Sequence, residues 1–397
     1  MKYSRISALL AALAVISCSG PDANLKVVIE NDGQKDRSCE TIELDVSTLS
    51  IADMALNENN IVILDKNGAE VPSQIYKSRT GGNTLVFQAG VRAGEKAEYY
   101  IAAGNPGEYG TKAYSRYVPE RFEDYAYEND VVAGRIYGPS LEDPRTQGSD
   151  IWIKCTPRLI VDEWFAKNDY HHNYGDGMDC YKVGNTLGGG AIAPLILDGD
   201  GQHIMLTGNY ATWEHLTDGP VRTAAFFTYG PFEIDGISFT LERELVLDTG
   251  SHFVKHICKF VQNGGDRTID QLPVVIGAVK HDVKDIRDGE GWIAFTEKSS
   301  DTKDPDRDGD ISVGIVLGPR IDGAVFSEQE GHAAFKCFVP VGRNMTFWTG
   351  SAWSQGNKAT VSEGLTEGSH DADSWAGYVS DFGYCVGNPL KITIEGM

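Results

Sequence analysis

Short apolar runs, separated by glycine and polar turns, recur along nearly the whole chain, and few stretches carry the spacing of a helix. SFTLERELVLD, residues 238–248, shows the pattern clearly. Phe239, Leu241, Leu245 and Leu247 fall on one face of an extended strand, and mostly polar residues fall on the other. Chains built from many such runs bury their apolar faces by packing sheet on sheet. The expectation is an all-β protein: a small N-terminal β-sandwich followed by a large two-layer antiparallel β-supersandwich.

The boundaries follow the turn signals. Residues 24–106 hold LKVVIEN, TIELDV, NIVILDKNGAEV, TLVFQAG and AEYYIAAG, strand candidates at the spacing of a small sandwich. Asn105-Pro106-Gly107 closes that unit, and residues 107–120 read as a linker. Residues 121–397 form the larger unit, from VVAGRIYG to LKITIE, with one helix expected near Pro157–Lys167.

The first residues are of another kind. Lys2 and Arg5 precede an apolar run from Ile6 to Ser17 that is too short to span a bilayer. Val15-Ile16-Ser17-Cys18 resembles a bacterial lipobox. This predicts a signal peptide over 1–17, lipidation at Cys18 and a tether over 18–23. The protein would then be a cell-envelope lipoprotein held to the membrane by acyl chains. Ser19-Gly20-Pro21-Asp22 lacks a dense acidic run, so the periplasmic face is expected rather than the cell surface.

The net charge is −22, and loss of Lys2 and Arg5 with the signal takes it to −24. Such a chain repels nucleic acid, and an acidic polysaccharide would need local Arg and Lys to enter. Six cysteines follow Cys18, but Cys155, Cys258 and Cys337 lie in strand-like runs. Buried thiols are expected there rather than a full disulfide framework. No CxxC pair signals a structural zinc site.

Residues 170–190, YHHNYGDGMDCYKVGNTLGGG, break the strand pattern. Glycines let a backbone take positive φ and approach a ligand closely. His171, His172, Asp179, Tyr181 and Lys182 are side chains suited to acid/base work or binding. Elsewhere, Arg135 and Tyr137 project to one strand face, and Arg222 precedes a strand where a loop meets the sheet. Such arginines suit carboxylates or sulfates, or serve as salt-bridge residues. Arg243 lies on a core face and must be paired or line a cavity. His252 and His256 share a face and are able to reach one ligand or to be structural. Trp348, Trp353 and Trp375 offer faces on which sugars stack, or core packing. Asp304, Asp306, Asp308 and Asp310 alternate like half a calcium loop, but Ile315 stands where an EF-hand needs Glu. An irregular calcium site or a solvated acidic turn both fit. No metal centre is expected from the 170–190 loop, because adjacent histidines on a strand point apart.

Four segments, YENDVVAGRIYGP, SDIWIK, YHHNYGDGMDCYKVGNTLGGG and GPVRTAAFFTY, resemble an uncharacterised family of exported Bacteroidetes proteins, domain-of-unknown-function family 4861. The resemblance spans roughly 121–397. It implies a galactose-mutarotase-like supersandwich, a fold shared with aldose epimerases, polysaccharide lyases and glycoside hydrolases, and a glycan or oligosaccharide as partner. The matching positions are Arg135, Tyr137, His171, Gly175, Gly177, Asp179, Tyr181, Lys182 and Arg222.

On this basis the leading expectation is lyase-like chemistry on a uronic-acid-containing glycan. Arg135, Arg222 and Lys182 would neutralise the carboxylate, His171 would be the base, Tyr181 the acid, and Asp179 would orient the imidazole. His172, Tyr137, Trp348 and Trp353 would bind substrate. Two alternatives are an aldose mutarotase or glycoside hydrolase, and a non-catalytic glycan-binding protein displaying exposed tryptophans. Convergence of His171 and Arg222 in one cleft would favour an enzyme.

Overall fold

A computed structural model describes residues 23–49, 59–141, 148–199, 201–319, 321, 323–356 and 370–396. The signal segment and Cys18 lie outside the described residues. The chain is mostly β, in five antiparallel sheets, with two α-helices among the described residues.

Two of the sheets form the N-terminal part. A three-stranded sheet contains Arg37–Asp45, Gly82–Val91 and Ser73–Ser78. It packs on a five-stranded sheet whose centre is Leu25–Glu30 and Lys96–Ala103. Val27, Ile29, Ile63, Phe87 and Ile101 are fully buried between them. The alternation seen in LKVVIEN places every second residue inward, as a half-buried strand requires.

The last strand, Lys391–Gly396, was expected with the large unit. It instead pairs antiparallel with Leu25–Glu30, placing Ile392 opposite Ile29. Its alternation was legible, but alternation does not name a strand's neighbour. Residues 114–118, expected in the linker, form an edge strand paired with Asp124–Glu128.

The larger part has two facing layers. One is an eight-stranded sheet running from Tyr210–Thr217 at one edge to Val283–Gly289 at the other. Facing it are two five-stranded sheets. One contains Tyr114–Val118, Asp124–Glu128, Val132–Ile136, Ser149–Lys154 and Gly177–Asp179, and the other is centred on Gln271–Val279. Tyr127, Ile153, Phe227, Leu245, Ile276 and Phe347 belong to one continuous core between the layers.

Both outer faces are covered in part. On one, α1 (Val161–Lys167) packs Trp164 and Phe165 against Ala126, Ala133 and Trp152. The Glu128 carboxylate accepts from the backbone N–H groups of Ile160 and Val161, satisfying donors that begin the helix. On the other, the three-stranded N-terminal sheet covers part of the eight-stranded sheet. Ser78 and Thr80 donate to a buried Glu244 carboxylate. Beside it lies α2 (Ala372–Gly387), which opens on a capping box formed by Asp371 and Ser374. Trp375 on α2 is fully buried and donates from Nε1 to the Val313 carbonyl.

All six cysteines from Cys39 onward are free thiols.

Candidate functional site

Four adjacent strands contribute charged residues to the outer face of the sheet beneath α1. Asp124, Arg135, Asp150 and Asp179 form a row across the strands, with Arg135 directly opposite Asp150. Arg135 Nε lies 2.8 Å from Asp150, and its terminal nitrogens lie 3.4 Å from Asp124 and 3.3 Å from Asp179. Arg135 also donates to the Tyr170 hydroxyl at 3.1 Å. Rings of Tyr137, Trp152 and Tyr170 surround its guanidinium at 4.9–5.5 Å. All four charged groups are buried.

One guanidinium cannot neutralise three carboxylates removed from water. Burial first, then the Asp150 carboxylate, pushes the Asp179 carboxyl well above its usual range. Burial also raises Asp124. Asp179 Oδ1 is buried and has no hydrogen-bond partner. Arg121, whose Nε donates to the same Tyr170 hydroxyl, adds a second guanidinium at the Asp124 end of the row.

His171 sits at the edge of this cluster, with its side chain 39 % exposed. Its Nδ1 lies 3.1 Å from the Asp179 backbone carbonyl and 3.9 Å from the Asp179 carboxylate. A carbonyl only accepts, so Nδ1 carries the proton and Nε2 is left with its lone pair.

The glycines of the loop have a structural use. Gly177 has φ +117°, and a Cβ there would lie 2.0 Å from the Ile153 carbonyl oxygen. Only glycine lets this segment lie flat against Ser149–Lys154 and bring Asp179 into the row.

The structure therefore brings Arg135, Tyr137, His171 and Asp179 together. The other expected members lie elsewhere. Tyr181 is inside the core, its hydroxyl donating to the Val279 carbonyl, and burial pushes its pKa far up. It is not placed to act as an acid beside His171. Lys182 and His172 are exposed, and the His172 ring packs edge-on to Tyr174 at 4.7 Å.

Arg222 lies on the outer face of the opposite layer. It pairs with Asp248 at 2.6 Å and with Glu43 at 2.7 Å, and donates to the Tyr76 hydroxyl. The sandwich core thus separates Arg222 from His171, and the expected convergence does not occur. Sequence position showed that Arg222 begins a strand, but not which layer that strand enters.

Arg222 instead borders a cleft of about 630 Å³ between the N-terminal three-stranded sheet, the eight-stranded sheet and α2. Trp348 lines the same cleft. Trp353 does not; it is buried, donating to the Asp308 carbonyl. Trp353 and Trp375 are core residues rather than sugar shelves.

The aspartates of the acidic turn diverge. Asp306 pairs with Lys298, Asp308 accepts from the Thr302 hydroxyl, and Asp310 pairs with Lys284. Among the described residues no group of three or more His, Cys, Asp or Glu is arranged to hold a metal ion. The calcium reading is corrected accordingly. Arg243, on the core face as read, donates to His256 Nδ1, Tyr229 and Ser149. His252 contacts the Ser351 carbonyl, so the two histidines serve different partners.

Asp124, Asp150 and Tyr170 were missed as site residues. Asp150 and Tyr170 stand within the segments SDIWIK and YHHNY, so the signal was proximity to noted residues rather than spacing.

Among known proteins, "Uncharacterized protein P7" of Formosa agariphila is 25% identical over 415 residues, covering 97% of both chains. Two solved structures share 10% and 9% identity with 95% of this chain. They are a protein in the Glycosyl Hydrolase Family 38 from Enterococcus faecalis, at a TM-score of 0.49, and an alpha-mannosidase from Enterococcus faecalis V583, at 0.45. The chain spans about half the length of each. The profile of the family described as "Domain of unknown function (DUF4861)" matches residues 29–392, reaching well beyond the expected start at 121. From its first strand to its last, this chain belongs to the DUF4861 family.

Proposed function

We propose that this protein is a carbohydrate-active protein that moves a proton on its sugar at His171, in the manner of a mutarotase or glycoside hydrolase rather than a lyase. The observation that carries the reading is an exposed imidazole, with Nε2 unprotonated, seated beside a buried cluster of three carboxyls. The tautomer leaves the Nε2 lone pair free to take a proton from substrate. In anomer interconversion, Nε2 would accept the proton of the anomeric hydroxyl. The C1–ring-oxygen bond breaks, a carbonyl forms at C1, and the ring oxygen gains a proton from solvent. The choice of a sugar rests on the resemblance of the large unit to mutarotase-like proteins.

Elimination from a uronate needs a free cation to neutralise the carboxylate. Arg135 and Arg222, two of the three cations expected in that role, are both engaged by carboxylates, which weakens the lyase reading. Polarimetry on aldoses and reducing-end assays on neutral oligosaccharides test the proposal. His171→Ala should lower turnover by about 100-fold or more while leaving the circular dichroism spectrum unchanged. Full activity in that variant, or no turnover of any saccharide, would overturn it. The same reading includes anchoring in the cell envelope through Cys18. Radiolabelled palmitate should enter the wild type and not Cys18→Ala.

A further inference from the structure

The cleft beside α2 is on the opposite side of the sandwich from His171, and its walls differ in chemistry. One wall is aromatic. Phe382 stacks on Phe253 with ring centroids 4.1 Å apart, and Trp348 meets Phe382 edge-on at 6.0 Å. Tyr378 also lines this side. Trp348 and Phe382 are only partly buried, so part of their surface faces the cleft.

The facing wall is polar. Glu43 bridges Arg222 at 2.7 Å and Lys255 at 3.0 Å. The Arg37 side chain is 2 % exposed; it pairs with Glu40 and donates to the Asn388 carbonyl, while its Nε lacks a partner. Burial raises the Glu40 carboxyl, while Arg222 and Lys255 outweigh burial and bring Glu43 down to about 2.

The volume suits a small ligand. Five carboxylates against three cations line it, so an anionic ligand is disfavoured. An apolar ligand would cut the partly exposed carboxylates of Glu43 and Asp248 off from water without offering them a donor. A neutral saccharide satisfies both walls. The C–H face of a pyranose covers the aromatic side, and its hydroxyls donate to Glu43 and Asp248.

We propose that this cleft is a binding site for a neutral oligosaccharide, separate from the His171 cluster. It does not depend on catalysis at that cluster. Isothermal titration of the full chain with neutral hexose and pentose oligosaccharides, and with uronate oligosaccharides as a charge control, tests it. Neutral ligands should bind, uronates at least 10-fold more weakly, and Trp348→Ala should lower affinity for the neutral ligand at least 10-fold. Phe382→Ala is the second variant, should Trp348→Ala fail to fold. His171→Ala should bind as the wild type does. Affinity unmoved by both aromatic variants, preference for uronates, or no binding of any neutral saccharide overturns the proposal. Aromatic-sensitive binding without turnover would sustain this site and remove the catalytic reading; turnover lost in His171→Ala without such binding would do the reverse.

Discussion

Arg135 pairs with three buried carboxyls at once, and its loss would leave Asp150 and Asp179 buried without their cation. Breaking such a cluster at the cation costs about 3–5 kcal/mol. Arg135→Met should therefore lower stability strongly in chemical denaturation. Asp179→Asn should cost less, because burial already disfavours the charged carboxylate that the amide replaces. Equal losses in the two variants would contradict this ranking. His252 gives a second test at this scale. Burial, reinforced by His370, holds its imidazole down at about 4. The unfolded chain takes up that proton near pH 6.5 and the folded chain only near 4. The contribution is thus complete above pH 6.5 and is lost as pH falls toward 4, on the order of 3 kcal/mol. Asp179 acts oppositely, since its raised pKa favours the folded state at low pH and that gain fades as pH rises. His252→Asn should flatten the acid limb of a Tm-versus-pH curve measured by calorimetry.

Among the elements, the edge strand Gly177–Asp179 depends on a single missing side chain. Gly177→Ala adds a Cβ against the Ile153 carbonyl at a φ that L residues rarely adopt. The strand should detach, taking Asp179 from Arg135. Faster hydrogen exchange at the Asp179 amide, which donates to the Tyr170 carbonyl, would report this. Protection equal to wild type would refute it. The same elements show what a sequence reveals. Ile237–Asp248 was legible because period-two alternation is the physical signature of a half-buried strand. The row of Asp124, Arg135, Asp150 and Asp179 was not, because it arises from register between four strands, and no spacing along one strand encodes it. α2 was missed although Asp371 and Ser374 form its cap; its glycines and aromatics, Gly377 and Gly383 among them, obscure the helical period. His171 and Asp179 came together because eight residues and a glycine turn connect them. Arg222 and His171 did not, since nothing local says which layer faces which.

Across the whole molecule, Arg222 is a rivet between the eight-stranded sheet and the N-terminal three-stranded sheet. It holds Asp248 on one and Glu43 and Tyr76 on the other. Arg222→Met should loosen the two from each other. Limited proteolysis should then cut within the N-terminal sheets at denaturant concentrations that leave the eight-stranded sheet intact. A single unfolding transition, unshifted from wild type, would show that the apolar contacts of Tyr76, Val86 and Val246 suffice alone.

The pairing of Leu25–Glu30 with Lys391–Gly396 sets the order in which the molecule is made. A ribosome delivers the first of these strands long before the second. Until the final residues emerge, the opening strand keeps one edge unpaired and able to recruit a neighbouring chain. The N-terminal sheets, first to be synthesised, are among the last to be finished, and a nascent chain stalled short of residue 391 would be an aggregation hazard rather than a smaller working protein.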